Sequence, residues 1–361
     1  MLNTKKKRIR NWGRKLSSIS VIKPKLFKQN TLLFDICWGY KMHERLKIIS
    51  GTANKSLAEE VAKKLNVKLT PVDIHRFSDG EIYARILESV RGSDVYIIQP
   101  TSPDANLNLM ELLITADALK RASPQKITAV ITYFGYSRQD RKTKPREPIT
   151  AKLVAKMIEA AGVDSVMTFD LHVAQVQGFF DIPSDNLDLI PVYAEHIAGK
   201  KLKDIVFVAP DVGGAARARS LAKVMHAPIA IVDKRRPEQG VVKVENVIGD
   251  VKDKTVILVD DIIDTAGTIT EAALILKKYG AKEIYVLATH PVLSGPAMQR
   301  LEESQIKEIL VTNTIELPKE KSIKKIKIIS IAPLLSEAIT RSHEGTPMGA
   351  VYEEMYKKLE K

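Results

Sequence analysis

Two adjacent aspartates, Asp260 and Asp261, end a run of four apolar residues and precede a short turn of hydroxyl and glycine residues at positions 264–268. An apolar run of this length is typical of a parallel strand that is covered on both faces. Open α/β sheets bind ligands at the carboxyl ends of their strands, and a turn that opens a helix presents backbone N–H groups to anions. The pattern therefore predicts a phosphate on the turn, with the acids holding ribose hydroxyls or a divalent cation.

A simpler explanation of this segment is that Asp264 or Thr268 only caps the helix predicted over residues 269–279. Capping needs one such residue, whereas the segment carries three acids and two threonines. We therefore favour ligand binding.

Clusters of cations follow two other predicted strands. Five of the eleven residues at positions 138–148 are Arg or Lys, directly after the apolar segment 126–131. A solvated charge run is the usual role of such a segment, but its place at a strand's carboxyl end favours a lid that carries cations to a polyphosphate. Lys234 and Arg236 follow the predicted strand 229–232. Such residues are unremarkable in a surface turn, but beside a phosphate loop they would supply charge for phosphoryl transfer.

Acids and one histidine stand at two further strand ends. Asp170 and His172 follow residues 165–169, and their spacing would point both side chains the same way from an extended backbone. His172 is compatible with a structural role or with Mg²⁺ binding. Asp211 follows residues 205–209 and precedes Gly213 and Gly214, which allow a ligand to approach the backbone closely.

The segment at residues 76–82 combines one aromatic ring with two acids. Asp79 and Gly80 would form an ordinary hairpin turn. Phe77 adds a face on which a base could stack, and Asp79 and Glu81 add acceptors for the amino group of a purine. The turn and the nucleotide-binding interpretations both remain open from the spacing alone.

From residue 46 onward, segments with strand and helix patterns alternate in the βαβ order of a parallel sheet. We expect two similar doubly wound α/β domains, at residues 46–186 and 187–345, with their boundary in the turn-rich stretch 182–187. A basic linker at residues 319–327 leads to a last strand and helix, which are candidates for a return to the first domain. Residues 346–361 form a tail.

The charge of the chain is unevenly distributed. Residues 1–41 carry 11 Lys/Arg and one acid, whereas the remaining 320 residues carry 45 Lys/Arg and 42 acids, so the predicted body has a net charge of only +3. We therefore expect no nucleic-acid binding by the body. No run of 18 apolar residues suggests a membrane span. The one cysteine, Cys37, lies in the basic leader, which excludes disulfides and thiol catalysis in the body and fits a reducing cytosol.

The leader has three interpretations. It is basic, poor in acids and contains serines, as organelle-targeting segments do. It could instead be a polybasic tail that contacts RNA or an anionic membrane. We favour a third interpretation, in which translation begins at Met42, because the residues before Met42 show no convincing helix or strand periodicity.

Taken together, these motifs closely resemble those of ribose-phosphate diphosphokinases, also called phosphoribosyl pyrophosphate synthetases. The resemblance covers residues 46–345 and is strongest in five segments, at residues 77–82, 136–142, 177–183, 233–237 and 260–268. It implies two domains of the phosphoribosyltransferase type, a cytoplasmic homohexamer, and Mg²⁺-dependent transfer of the β,γ-diphosphoryl group of ATP to ribose 5-phosphate.

The resemblance also implies a role for each matched residue. ATP would be bound by Phe77, Asp79, Gly80, Glu81, Arg138 and Gln139. Mg²⁺ would be held by His172 and Asp211. Ribose 5-phosphate would be bound by Arg236, Asp260, Asp264, Thr265, Ala266, Gly267 and Thr268. Lys234 and Arg236 match the catalytic pair of the family.

The chain departs from the family pattern near its C-terminus. Where common members carry a Glu-Ser-Val-Ser-Tyr-type segment that helps to bind regulatory phosphate, Pro347 and Gly349 replace the two serines. Ser89, Arg91 and Ser123 of the same regulatory region are retained. Phosphate activation is therefore expected to differ.

Two rival functions share part of these motifs. A phosphoribosyltransferase would use the same ribose-phosphate loop, but such enzymes normally need only one domain and neither the residue 77–81 motif nor the cationic segment. An inactive nucleotide-binding relative is disfavoured, because Lys234, Arg236, His172 and the whole 264–268 turn are present.

Overall fold

The computed structural model describes residues 45–235 and 244–359. These residues form two parallel-stranded sheets with helices around them and one separate hairpin. The mixed α/β architecture predicted from the alternating segments is confirmed.

The first sheet has five parallel strands in the order β1-β4-β5-β6-β7. Its members are β1 (Leu46–Ser50), β4 (Asp94–Ile98), β5 (Lys126–Ile131), β6 (Ser165–Phe169) and β7 (Ser184–Leu187). Almost every residue of the three central strands is buried, as expected for strands covered on both faces. The sequence predicts four strands for this half, at residues 46–50, 94–99, 126–131 and 165–169, and each lies within one residue of its observed bounds. The fifth, β7, occupies part of the stretch that we interpreted as a turn.

An antiparallel hairpin, β2 (Val72–Arg76) and β3 (Ile82–Ile86), lies between β1 and β4 in the chain. Its turn holds the residue 77–81 motif, and Gly80 adopts a positive φ of 96°, which glycine tolerates without steric cost. The backbone N–H of Phe77 donates to the carbonyl of Glu81 over 2.8 Å and closes the turn. The motif is therefore presented at the tip of a hairpin.

The second sheet has seven strands in the order β10-β9-β8-β11-β12-β13-β14. All neighbours are parallel except β10, which pairs antiparallel with β9. Its members are β8 (Ile205–Ala209), β9 (Ile229–Arg235), β10 (Val244–Ile248), β11 (Thr255–Ile263), β12 (Glu283–Pro291), β13 (Glu308–Thr312) and β14 (Ile326–Ile329). Three strands are longer than predicted. β11 continues through Asp260 and Asp261, β9 includes Lys234, and β12 extends beyond the predicted segment 283–288 to Pro291.

Nine α-helices occur in the described residues. They are α1 (Lys55–Lys64), α2 (Ala105–Arg121), α3 (Thr150–Ala160), α4 (Ile190–Gly199), α5 (Ala215–Val224), α6 (Gly267–Lys278), α7 (Ala297–Glu303), α8 (Ala332–Glu344) and α9 (Ala350–Leu359). Of these, α1, α2, α3, α5 and α6 overlap the helical segments predicted from the sequence at residues 57–65, 107–120, 151–161, 215–225 and 269–279. The helices α4, α7 and α9 and the strands β10 and β13 carry no motif and were missed.

One apolar cluster joins the two sheets. It contains Leu57 of α1, Phe169 of β6, Phe207 of β8 and Leu335 of α8, all fully or nearly fully buried. The helix α8 packs on α1 of the first half, whereas β14, just before it, pairs with β13. The last strand therefore belongs to the second sheet, which corrects the expectation that it returns to the first domain together with its helix.

A buried polar seam also joins the sheets. His290 of β12 contacts the carbonyl oxygen of Phe169 through Nε2 over 3.1 Å and Thr314 Oγ1 through Nδ1 over 3.1 Å. Thr132, after β5, donates from Oγ1 to the carbonyl of Thr314 over 2.6 Å. Because buried polar groups are costly when unpaired, these contacts fix the carboxyl edges of the two sheets against each other.

Candidate active site

A cavity of about 670 Å³ opens where the carboxyl ends of strands from both sheets meet. Arg138 and His172 reach it from segments that follow β5 and β6. Asp211 follows β8, and Asp260 lies in β11. The structure therefore brings together four of the residues singled out in the sequence, from both halves of the chain.

The phosphate turn lies at the start of α6. Ala266 precedes this helix with a φ of 61°, a left-handed conformation that costs a non-glycine residue of order 1 kcal/mol or more. Arg300 of α7 donates from Nη1 to the carbonyl oxygen of Thr265 over 3.0 Å. Strain and bracing at one short turn are typical of a ligand-binding loop, and the N–H groups at the helix start suit an anion.

Asp264 ties this turn to the cationic segment. Its Oδ2 lies 2.7 Å from Arg138 Nη1, and its other oxygen accepts from the hydroxyl of Ser294. Partial burial alone would raise the pKa of Asp264, but the hydrogen bonds from Ser294 and Arg138 outweigh it and lower the pKa. Asp264 is therefore ionised at neutral pH.

Asp261 is the most enclosed acid of the cavity, with 3% of its surface exposed. Its Oδ2 lies 2.8 Å from His172 Nδ1, and its Oδ1 lies 3.0 Å from Arg217 Nη1. Burial would raise the pKa of Asp261, but the bond with His172 and the charge of Arg217 lower it below the usual range. The bond to Asp261 in turn raises the pKa of His172.

Asp260 has the opposite electrostatic environment. Burial and the neighbouring charge of Asp261 raise its pKa well above the usual range. Its Oδ1 accepts from the backbone N–H of Asp261 over 2.9 Å. Two adjacent carboxylates thus differ in protonation tendency, as expected when only one of them has cationic partners.

Asp211 is exposed, and its Oδ1 accepts from the backbone N–H of Gly214 over 3.0 Å. Within the described residues, no group of three His, Cys, Asp or Glu side chains is arranged to hold a metal ion by itself. Mg²⁺ commonly takes one or two protein ligands and completes its shell with water and substrate phosphates. The carboxylates and the imidazole around this cavity fit such an ion.

The remaining predicted nucleotide-binding residues lie outside this cavity lining. Gln139 accepts from the hydroxyl of Thr150 over 2.6 Å. Phe77 is 50% exposed at the hairpin tip, where Asp79 accepts from the backbone N–H of Glu81 over 3.1 Å. Gly80 and Glu81 line a different cavity, of about 580 Å³. The structure does not bring the hairpin motif into the cavity that holds Arg138.

Two predicted residues cannot be placed by their side chains. The backbone of Lys234 pairs with Glu245 of β10, but its side chain lies outside the described part of the chain. Arg236 lies outside the described residues altogether.

One geometric expectation was wrong, and several contacts were missed. Asp170 has a φ of 36°, so the backbone before His172 is not extended. The carboxylate of Asp170 accepts instead from Thr289 and from the backbone N–H of Leu189. Arg217, Ser294 and Arg300 were not recognised as site residues. A cation in the first turn of the helix after Gly214 was the available signal for Arg217.

The two parallel sheets and the phosphate turn at their carboxyl edge define a phosphoribosyltransferase-type fold. Residues 46–162 match the family model described as the N-terminal domain of ribose phosphate pyrophosphokinase, and residues 215–353 match the phosphoribosyl synthetase-associated domain. The chain belongs to the ribose-phosphate pyrophosphokinase family and is an enzyme of that family.

Individual relatives agree with the family models. The ribose-phosphate pyrophosphokinase of Bacillus subtilis (strain 168) is 56% identical over 301 residues, which cover 83% of this chain and 95% of the relative. The same enzyme of Bacillus caldolyticus is 54% identical, over 86% of this chain and 98% of the relative. The crystal structure of phosphoribosylpyrophosphate synthetase from Mycobacterium smegmatis aligns with a TM-score of 0.80 and 42% identity, over 83% of this chain and 99% of that one. No described helix is long and apolar enough to cross a membrane.

Proposed function

We propose that the enzyme transfers the β,γ-diphosphoryl group of ATP to the C1 hydroxyl of ribose 5-phosphate, giving 5-phosphoribosyl 1-diphosphate and AMP, with Mg²⁺ as cofactor. One observation carries this proposal. Arg138, from the cationic segment of the first half, bonds to Asp264 of the phosphate turn in the second half. A group suited to a polyphosphate therefore lies directly beside a cradle suited to a sugar phosphate.

The second sheet supplies the sugar-phosphate site. The turn at residues 264–268 lies at the start of α6, where backbone N–H groups can bind an anion, and this position suits the 5-phosphate. Asp260 and Asp264 offer oxygens to the ribose hydroxyls. These contacts hold the C1 hydroxyl in a fixed position at the cavity, which lowers the entropic part of the barrier.

The cations act on the transferring group. The C1 hydroxyl releases its proton to solvent as its oxygen attacks the β-phosphorus, the bond from that phosphorus to the oxygen bridging it to the α-phosphorus breaks, and AMP leaves. Arg138, Lys234 and Arg236 offset the negative charge that is spread over the oxygens during transfer. When bound, Mg²⁺ would add to this neutralisation, with His172 and Asp211 among its ligands.

The decisive assay uses the purified full chain with Mg²⁺, ATP and ribose 5-phosphate, with the products separated. AMP should appear in step with 5-phosphoribosyl 1-diphosphate. Formation of ADP, or turnover only after a nucleobase is added, would contradict the proposal. The second result would indicate a phosphoribosyltransferase, and absence of turnover under all conditions would indicate an inactive relative.

We also propose a cytoplasmic homo-oligomer, with the hexamer of the family as the expected state. The exposed hairpin motif and the cavity that holds Arg138 are separate within one chain, so a second copy could supply Phe77 and Glu81 to the adenine of ATP. Mixing an inactive Phe77→Ala variant with an inactive Lys234→Ala variant tests this, because mixed oligomers would contain some intact sites. Activity should return on mixing after dissociation and reassembly. Failure to recover activity would place both motifs in one chain's site.

A further inference from the structure

Asp261 has no assigned role in the proposed reaction, although it is the most enclosed acid of the cavity. It belongs to β11 of the second sheet, while its partner His172 follows β6 of the first. Each carboxylate oxygen has its own cationic or ring partner, His172 Nδ1 at 2.8 Å and Arg217 Nη1 at 3.0 Å. The backbone N–H of Asp261 is held as well, by Asp260 Oδ1 at 2.9 Å.

We propose that Asp261 is a positioning residue that fixes His172 as the tautomer protonated on Nδ1, and that Arg217 fixes the orientation of this carboxylate. An ionised carboxylate can only accept hydrogen bonds, so the ring nitrogen that faces it must carry the proton. A neutral imidazole has one N–H, so Nε2 then carries the lone pair. Within the described residues Nε2 of His172 makes no hydrogen bond, and the residue lines the cavity.

The second partner is essential to this role. A carboxylate bonded at one oxygen can rotate about its χ2 torsion, whereas partners on both oxygens define its plane. Arg217 comes from α5 and contacts the carboxylate oxygen that His172 does not, so the ring, which follows β6 of the first half, is oriented by two elements of the second half, β11 and α5. A histidine that binds a metal through one nitrogen commonly donates from the other to a carboxylate. The inference rests on the proposed function only in assigning Mg²⁺ to the free Nε2.

The adjacent acids therefore have separate tasks. Asp260 remains available to substrate, whereas both oxygens of Asp261 are already engaged inside the protein. Replacing Asp261 should change how His172 is presented without removing an oxygen that contacts ribose. This expectation separates positioning from substrate binding.

Nitrogen NMR of the full chain with ¹⁵N-labelled histidine tests the tautomer directly. The spectrum is recorded without metal at about pH 9, where histidine is neutral. The signal that disappears in the His172→Gln variant is assigned to His172. In the parent protein, the proton should reside on Nδ1. In Asp261→Asn, the Nδ1-protonated fraction should fall, whereas Asp211→Asn, which alters a cavity acid that does not touch His172, should leave it unchanged. A His172 protonated mainly on Nε2 in the parent protein would overturn the inference, even if neither variant folded.

Metal affinity gives a second readout that is independent of turnover. Mn²⁺ serves as the spectroscopic probe, and its dissociation constant should rise about 10–100-fold in Asp261→Asn and in Arg217→Gln. Arg217→Lys should restore part of the affinity, because it retains a donor beside Asp261. Unchanged Mn²⁺ affinity in Asp261→Asn would refute the positioning role. Should the tautomer and affinity follow expectation while no AMP forms, the proposed reaction fails and the positioning role stands.

Discussion

Arg138 and Asp264 neutralise each other across the two halves of the chain, with Nη1 of the arginine 2.7 Å from Oδ2 of the aspartate. Half of the Arg138 side chain and 27% of the Asp264 side chain are exposed, and such pairs contribute only about 0–1 kcal/mol to stability. The contact is therefore of little consequence for folding. The ion pair matters because ATP and ribose 5-phosphate, the ligands of the two proposed subsites, must either bind to these two side chains together or break the contact between them.

Asp264→Asn should weaken ribose 5-phosphate binding while leaving the free energy of unfolding within about 1 kcal/mol of the parent value. A lost bond to a charged group corresponds to about 1.5–3 kcal/mol, so KM for ribose 5-phosphate should rise about tenfold or more. Thr268→Ala should act in the same direction. Steady-state kinetics measure both, with Asp250→Asn as the control, since among the described residues Asp250 is an exposed acid that pairs with Lys254 and its own loop. An unchanged KM in Asp264→Asn would remove this residue from the sugar site.

Lys234→Ala and Arg236→Ala should lower kcat by about 10²–10³ each and change KM far less. Their charge is expected to act mainly on the transition state, where negative charge on the transferring group is greatest. Lys68→Ala, at an exposed position, serves as the matched control and should retain full kcat. If these variants and the Asp264 and Thr268 variants shift the same parameter by similar amounts, the assigned roles are wrong.

The buried ring of His290 should make stability depend on pH. Burial lowers the pKa of His290 to about 4, whereas a histidine in an unfolded chain has a pKa of about 6.5. Between these values the unfolded chain binds a proton that the folded chain excludes, so this contribution to stability is lost as pH falls from 6.5 towards 4. From pH 7 to pH 5 the loss is about 2 kcal/mol.

A variant is needed to isolate the contribution of His290. Burial and the charge of Asp188 raise the pKa of Asp170 to about 6, so the contribution of Asp170 to stability changes with pH in the opposite direction. Urea unfolding of the parent protein and of His290→Asn at both pH values measures the difference. The variant should be less stable at pH 7, and the gap should narrow at pH 5. A gap that stays constant would show that His290 keeps an ordinary pKa.

Removing residues 1–41 should leave folding and specific activity nearly unchanged. The first strand of the described residues begins at Leu46, and the family model matches from residue 46. Thermal unfolding and turnover of the shortened chain, compared with the full chain, provide the measurement. An insoluble product, or loss of most turnover, would assign the leader a part in the enzyme.

Regulation by phosphate is expected to be weak. Pro347 has neither a backbone N–H nor a hydroxyl, and Gly349 has no side chain, so two donors expected of the family's phosphate site are missing. We predict substantial activity without inorganic phosphate and weak non-competitive inhibition by ADP. Titrating phosphate from zero at fixed Mg²⁺ checks this. A strict requirement for phosphate would show that the substituted segment does not control the site, with Ser89, Arg91 and Ser123 as the remaining candidates.

The sequence was most informative where local chemistry is self-contained. An apolar run ending in acids, such as residues 256–261, places a strand and its carboxyl edge without knowledge of the rest of the fold. It was least informative where a distant partner decides the conformation. The strand β7 has polar residues and forms because β6 offers an open edge. The backbone at Asp170 is not extended, and its carboxylate accepts from the hydroxyl of Thr289 in the other sheet.

The residues of the site divide in the same way, into those predictable from local sequence and those placed by distant partners. Residue types at strand ends predicted Asp260 and Asp211 at one edge of the second sheet, because parallel strands share their direction. His172 follows β6 of the first sheet, and the sequence could not show that the two carboxyl edges meet. Sequence spacing could not show that Asp261 lies between His172 and Arg217, since these residues come from three separate elements. Nor could it show that the hairpin tip stays apart from Arg138, because that depends on how the hairpin packs against α2.

The packing of α8 on α1 has a consequence for synthesis of the chain. Leu57 of α1 and Leu335 of α8 share one apolar cluster, yet the ribosome must make the whole of the second sheet before α8 exists. At the usual rate of about 5–20 residues per second, the apolar face of α1 waits roughly 15–55 s for its cover. During that interval the nascent first half exposes the apolar face of α1. Chaperone contact should therefore concentrate on α1 and end when α8 leaves the exit tunnel.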